Sequence, residues 1–403
     1  MINQASYSDG TRTATITLER IDTWLEEDQT VINFPGIVPL DGDRLFMTIH
    51  WSRHGDEGKF GDPTRAYLSD DAGETWSEAP RDFPMVTRDP RTGWMTENWD
   101  SGAWGFLRDG SIARVDHNTH KQHTLGHDRS QGHMHERFQQ EDPEFRWHRY
   151  ARDGSKLEHW TFKVPELPRE RASYQCYSRI LELDDGDILV ALEWVDLLSE
   201  SEQHIDGSGR VRKFRFGTFI VRSSDRGRTW KSVATFDPAV VNPVYGIFDR
   251  GVDEGLDEAD LAVLPNGDVL CVMRTDSYAP MFQARSRDGG HTWSEPESTG
   301  WQGVKPRLEV LPNGVLACAA GRGSYGNPQV THVMLSLDGT GNHWEAPFYF
   351  HTGPGCSYTT TMQRDGKLHV MFSHSDFTRE MGTHALPNQK IRRAVLDVQL
   401  SEG

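Results

Sequence analysis

The side chains able to do chemistry in this chain gather in a few short segments. His50-Trp51-Ser52-Arg53-His54-Gly55-Asp56 combines imidazoles, a guanidinium and a carboxylate. Arg274-Thr275-Asp276-Ser277-Tyr278, Arg322-Gly323-Ser324-Tyr325 and His374-Ser375-Asp376 repeat the mixture. Glu258-Ala259-Asp260-Leu261 precedes Arg274 across one Asn-Gly turn, and Tyr358 stands in Cys356-Ser357-Tyr358-Thr359. Imidazole titrates near neutral pH and acts as a general acid or base. Guanidinium groups clamp carboxylates. A phenol becomes a nucleophile when a base takes its proton. Acid–base chemistry next to an anion-binding group is the natural reading. An alternative stays open for Glu258, because Asp253, Glu254, Asp257 and Asp260 surround it with charge that could simply be solvated.

The elements that position these groups are repeated. Asp41-Gly42, Asp109-Gly110, Asp185-Gly186, Asn266-Gly267, Asn313-Gly314 and Asp365-Gly366 each lie between two apolar runs. Such dipeptides predict type I′ hairpin turns. A second unit, Ser-x-Asp-x-Gly-x-Thr-Trp, is interleaved at Ser69–Trp76, Ser223–Trp230 and Ser286–Trp293. A fourth copy, Ser336–Trp344, has one inserted residue and lacks the Thr at its usual place; Ala151-Arg152-Asp153-Gly154 with Trp160 reads as a decayed fifth. Each module therefore reads strand, Gly turn, strand, long loop, strand, Asp turn, strand. That is a four-stranded antiparallel blade. Six hairpins predict an all-β, six-bladed propeller in a single domain spanning 1–403, with a seventh blade in 85–170 as the alternative. The segment Thr13–Leu18 is expected to pair with Ile391–Leu400 and close the ring. The long loops between second and third strands all fall on one face, and a rigid scaffold usually carries its function on such loops.

The Ser-x-Asp-x-Gly-x-Thr-Trp units resemble the Asp-boxes of the sialidase (neuraminidase) superfamily. That resemblance implies a glycosidase acting on a terminal acidic sugar, with three arginines on its carboxylate, a Tyr–Glu pair as nucleophile and an Asp as acid/base. Carried over, Tyr358 is the nucleophile, Glu258 its base, and Asp56 the acid/base, with Asp62 as rival. Arg274 is the second arginine of the clamp, and Arg322 or Arg307 the third. The first arginine is replaced: the family's Arg-Ile-Pro stretch reads Asn33-Phe34-Pro35. Arg53, His54 and His50 lie outside the sialidase pattern. They leave open a polysaccharide lyase or rhamnose-releasing enzyme acting on uronic-acid glycans, and, in another class, a non-catalytic glycan-binding propeller.

Composition bounds the remaining choices. The net charge of −17 argues against a nucleic-acid partner, and no apolar run is long enough for a membrane helix. The start, Met1-Ile2-Asn3-Gln4, shows no basic or apolar leader, and four scattered cysteines fit reduced thiols, so a cytoplasmic location is expected. The expected partner is an acidic glycan or oligosaccharide, with no cofactor. His117, His120, His123, His127, His133 and His135 mark a His-rich loop insertion at about 116–149, read as a polar insertion and not as a metal site. The run Glu136–Arg149 within it is expected to include a short surface helix.

Overall fold

The structure, a computed structural model, describes residues 3–27, 30–53, 64–86, 102–117, 144–168, 173–197, 204–205, 211–212, 214–237, 255–275, 280–321, 329–353, 357–374 and 389–402. Its sheets form a six-bladed β-propeller of antiparallel blades, as the repeats predict. Blade 1 comprises Thr30–Pro39, Leu45–Arg53, Thr64–Ser69 and Ser77–Glu78. Blade 2 comprises Ala103–Phe106, Ile112–His117, Glu144–Tyr150 and Lys156–Lys163. Blade 3 has a broken inner strand, Ser173–Gln175 and Leu181–Glu182, then Ile188–Leu197, Phe214–Ser223 and Lys231–Phe236. Blade 4 runs Asp257–Val263, Val269–Arg274, Pro280–Ser286 and Glu297–Gln302; blade 5 runs Val304–Val310, Leu316–Gly321, Gln329–Ser336 and Phe348–Gly353. Blade 6 joins Ser357–Arg364, Lys367–His374 and Gln389–Glu402 to the early strand Arg12–Glu27, with Gln4–Ser8 added at its edge. The ring thus closes where expected, with Thr13 opposite Ser401 and Leu18 opposite Leu396.

Two local expectations change. Residues 103–163 supply one blade, so the seventh blade is excluded. The His-rich insertion is narrower than 116–149: Ile112–His117 and Glu144–Tyr150 are paired strands, so the expected helix does not extend into 144–149. The rest of that tract, 118–143, lies outside the described residues.

The hairpin turns also differ from type I′. At Asn266-Gly267, the Gly267 N–H donates to the Leu264 carbonyl and the Leu264 N–H to the Asp268 carbonyl, and Gly267 alone has positive φ, +86°. Gly110, Gly186 and Gly314 repeat this pattern. These are three-residue loops, a type I turn followed by one left-handed glycine. Only Asp365-Gly366 has both central residues left-handed (φ 52° and 74°), between Arg364 and Lys367, which face each other across the two-residue turn.

The Asp-boxes staple blades together. In the Ser223 copy, the Ser223 hydroxyl meets Asp225 at 2.9 Å and accepts the Gly227 N–H at 2.8 Å; Thr229 donates its N–H and hydroxyl to the same carboxylate. In the fourth copy Thr340, two residues after Asp338, makes the contacts assigned to the missing Thr, at 3.0 and 2.8 Å. The box glycine lets the neighbouring blade approach: a Cβ on Gly227 would lie 2.8 Å from the Trp147 ring, and one on Gly73 2.6 Å from Trp24. Third-strand arginines complete the joint. Arg222, Arg285 and Arg393 donate to carbonyls in the next blade's box, at Gly289, Thr340 and Ala72 respectively. Apolar cores lie between blades, one of them around Trp147, Trp194 and Trp230. Cys176, Cys271 and Cys318 are buried free thiols, and burial pushes each thiol well above its ordinary value.

Candidate functional site

Each first strand begins on the loop-bearing face and runs toward the Gly turns. Just inside that face the inner strands of four blades carry one extra residue. The pairing slips between Asn33 and Gly36, Asp257 and Asp260, Val304 and Arg307, and Ser357 and Thr359. In blades 4, 5 and 6 the residue in this bulge is left-handed: Glu258 at φ 43°, Lys305 at 52° and Tyr358 at 48°. Bulges re-aim side chains and are enriched next to active sites. Left-handed non-glycine residues cost roughly 1–3 kcal/mol each and persist only when the surroundings hold them.

Here the surroundings are the neighbouring bulges. The Glu258 N–H donates to Glu193 Oε2 of blade 3 at 3.0 Å. Glu258 Oε2 accepts the Lys305 N–H at 2.9 Å, and the Lys305 carbonyl accepts the Thr359 hydroxyl at 3.0 Å. The chain of contacts thus runs around the mouth from blade 3 to blade 6. Glu258 Oε1 lies 3.0 Å from Arg274 Nη1, and Asp257 Oδ1 lies 4.0 Å from Arg274 Nε. Glu193, Asp257, Glu258, Arg274 and Lys305 are all buried, and Lys305 holds its ammonium 3.9 Å from the centre of the Tyr177 ring. Tyr177 and Tyr358 are half-buried. Burial raises the Glu193 carboxyl to about 8, helped by the charge of Glu258 and opposed by its N–H.

A second polar layer lies deeper along the axis. Arg179 reaches from blade 3 to Glu309 (2.5 Å), Thr361 (2.6 Å) and Asp260 (3.4 Å), touching blades 4, 5 and 6 with one side chain. Asp260 also accepts the Leu308 N–H at 2.8 Å and faces Arg307 at 3.4 Å. Burial alone would push the Glu309 carboxyl up; the Arg179 charge and hydrogen bond, with Gln363 and Thr361, hold it below its ordinary value.

Of the residues singled out from sequence, Glu258 and Arg274 meet as an ion pair, and Tyr358 occupies the equivalent bulge in blade 6. Arg307 does not join them. Its guanidinium is buried against Asp260 and the Tyr177 carbonyl (2.7 Å), one layer down. His50 and Arg53 fall on the second strand of blade 1, paired with Asn33 and Thr30, so His50 stands level with the bulge and Arg53 further out. His54, Asp56, Asp62 and Arg322 lie outside the described residues. Glu193, Lys305 and Tyr177 were missed. Glu193 belongs to the second strand of blade 3, Ile188–Leu197. Its signal was a lone carboxylate inside the apolar run Val190-Ala191-Leu192-Glu193-Trp194-Val195.

A groove of about 460 Å³ lined by Glu166, Phe219 and Ser232–Thr235 lies at the outer strand of blade 3.

Residues 133–370, more than half of the chain, match the family described as the BNR repeat-like domain, and residues 67–78 match the BNR/Asp-box repeat. The chain belongs to the BNR repeat-like family. Its solved likenesses share the propeller fold. A Dyadobacter fermentans protein of unknown function superposes with a TM-score of 0.65 at 17% identity, covering 95% of this chain and 99% of that one. Trypanosoma rangeli sialidase gives 0.57 at 14% identity over 90% of this chain; the chain spans 54% of that enzyme. A leech intramolecular trans-sialidase gives 0.55 at 12% identity, covering 93% and 70%. At these identities the likeness is one of fold. No curated protein matches the chain by sequence.

Proposed function

We propose that this propeller is a sialidase-like glycoside hydrolase that releases a terminal acidic sugar from a glycan at the mouth of the loop-bearing face. The observation that carries the reading is the row of left-handed residues Glu258, Lys305 and Tyr358 in successive blades, with Glu258 locked onto Arg274 at 3.0 Å. Strain held at one level of three adjacent blades fits a site built to aim side chains. In this reading Glu258 takes the phenolic proton, and Tyr358 attacks the anomeric carbon as the aglycone oxygen leaves. Asp56 or His54 protonates that oxygen and later activates water. Arg274 and Arg322 bind the sugar carboxylate, with Arg53 and His50 at the rim.

The test is a panel of acidic glycosides. Wild type should release the aglycone, and Tyr358→Phe should reduce the rate on the order of a hundredfold or more. An unchanged rate in Tyr358→Phe would remove the Tyr nucleophile. A second reading, a lyase on uronic-acid glycans, is favoured by the Lys305 ammonium over the Tyr177 ring, which sets a cation beside a second phenol. It predicts an ultraviolet-absorbing unsaturated uronate and no hydrolysis product.

A further inference from the structure

We propose that Glu193 is a neutral carboxylic acid at working pH, the proton-holding partner that keeps Glu258 ionised and ready to accept a proton at the mouth. Its functional meaning rests on the hydrolase reading above; the location of the proton does not.

The geometry separates the two carboxyls. Glu258 has a donor on each oxygen, Arg274 Nη1 at 3.0 Å and the Lys305 N–H at 2.9 Å, an arrangement that favours the anion. Glu193 is equally buried, at 5% exposure, but none of the described cations reaches ion-pair distance of it. Among the described residues, the hydrogen bond its carboxyl accepts comes from the Glu258 N–H at 3.0 Å, which ties it to the residue whose charge opposes its own ionisation. An unpaired buried carboxylate beside a second one is strongly disfavoured, so one proton remains on the pair. It stays on Glu193, because a proton on Glu258 would compete with the donor on one oxygen and remove the charge that Arg274 pairs with.

The groups facing Glu193 agree. Glu258 and Arg274 approach from blade 4 and Lys305 from blade 5, while Thr218 stands opposite on the next strand of blade 3. On its other side lies the Cys176 thiol, which is neutral and itself faces Asp116, Arg114 and Arg146 of blade 2. Lys305 and Arg274 favour ionisation, but burial outweighs them and the carboxyl titrates at about 8.

Glu193→Gln mimics the protonated acid, since its carbonyl can still accept the Glu258 N–H. Two readouts need no substrate. Infrared spectra in D₂O should show a protonated-carboxyl band at pH 7 that disappears above about pH 8 and is missing from Glu193→Gln. Denaturant titration should show the wild-type unfolding constant rising tenfold per pH unit, from the ordinary carboxyl range up to about pH 8, through this one group. Glu193→Gln should flatten that rise. If the hydrolase reading holds, the wild-type activity profile breaks near pH 8 and the break is missing in Glu193→Gln. A band that survives Glu193→Gln but vanishes in Glu258→Gln would place the proton on Glu258 and overturn the proposal. So would a wild-type spectrum with no such band at pH 7, a measurement independent of whether the variant folds. Absence of glycosidase activity with the band as described would sink the hydrolase reading and leave the proton assignment standing.

Discussion

Replacing Arg179 with methionine tests the axial layer. The change keeps an apolar stem and removes one guanidinium that contacts blades 4, 5 and 6. Glu309 loses its shortest partner, at 2.5 Å, and Asp260 loses a contact at 3.4 Å. Charged hydrogen bonds contribute about 1.5–3 kcal/mol each, and breaking a buried ion pair costs about 3–5 kcal/mol. Three features lower the figure. The Arg179 side chain is 28% exposed, Glu309 retains Gln363 and Thr361, and Asp260 retains Arg307 and the Leu308 N–H. The expected loss is about 3 kcal/mol at pH 7, read from urea or guanidinium midpoints. The pH dependence supplies an internal check. In wild type Glu309 sits below its ordinary value, so its stabilisation is present above that value and is lost as pH falls. In Arg179→Met burial dominates, Glu309 gains a proton more easily, and the deficit against wild type should narrow from pH 7 to pH 5. Adding Glu309→Gln should give a double variant more stable than the sum of singles by at least about 1 kcal/mol. A loss below about 1 kcal/mol, or strict additivity, would mean that Arg179 behaves as an exposed ion pair and that the axis is held by the blades alone.

The Asp-box gives a graded pair of predictions. Asp225→Ala removes acceptors for Thr229, Arg228 and Ser223 and should cost about 1–2 kcal/mol in a denaturant titration. Gly227→Ala should cost more than that, because its Cβ would enter the Trp147 ring and its φ is 87°; equal losses would refute the close-approach account. Burial lowers His332, His351 and His369 to about 4. A lowered histidine binds fewer protons folded than unfolded, so stability should fall as pH drops from about 6.5 to about 4. Each group contributes up to about 1.4 kcal/mol per pH unit. His332→Phe should make the acid limb of a thermal-melt series shallower, and an unchanged limb would show that His332 is charged in the fold.

The sequence disclosed what is local. The Ser, Asp and Thr of the box close their hydrogen bonds within the motif, so the motif in the text is the motif in space, even where Thr340 replaces the usual Thr. The Gly turns were located correctly, but the type I′ expectation holds only at Asp365-Gly366, since the dipeptide does not reveal whether its first residue is also left-handed. The Glu258–Arg274 pair was legible because one hairpin joins its members. The rest of the mouth was not. Glu193 and Glu258 are 65 residues apart, and Glu258 and Lys305 are 47 apart. Only the ring brings those positions to one level. Arg307 illustrates the same limit, as its partner Asp260 comes from the preceding blade's inner strand.

The closure of the ring has a consequence for how the molecule comes into being. Arg12–Glu27 is synthesised long before its partner Gln389–Glu402, the last described strand. At a synthesis rate of about 5–20 residues per second, the early strand waits roughly 20–70 seconds before its partner exists. Ala14 and Ile16, fully buried in the finished ring, lack their partners Leu400 and Val398 for that time. That interval offers an unpaired apolar edge to any other nascent chain. Holding it apart is a natural task for a co-translational chaperone, whose occupancy on the nascent chain should end once residue 402 has emerged.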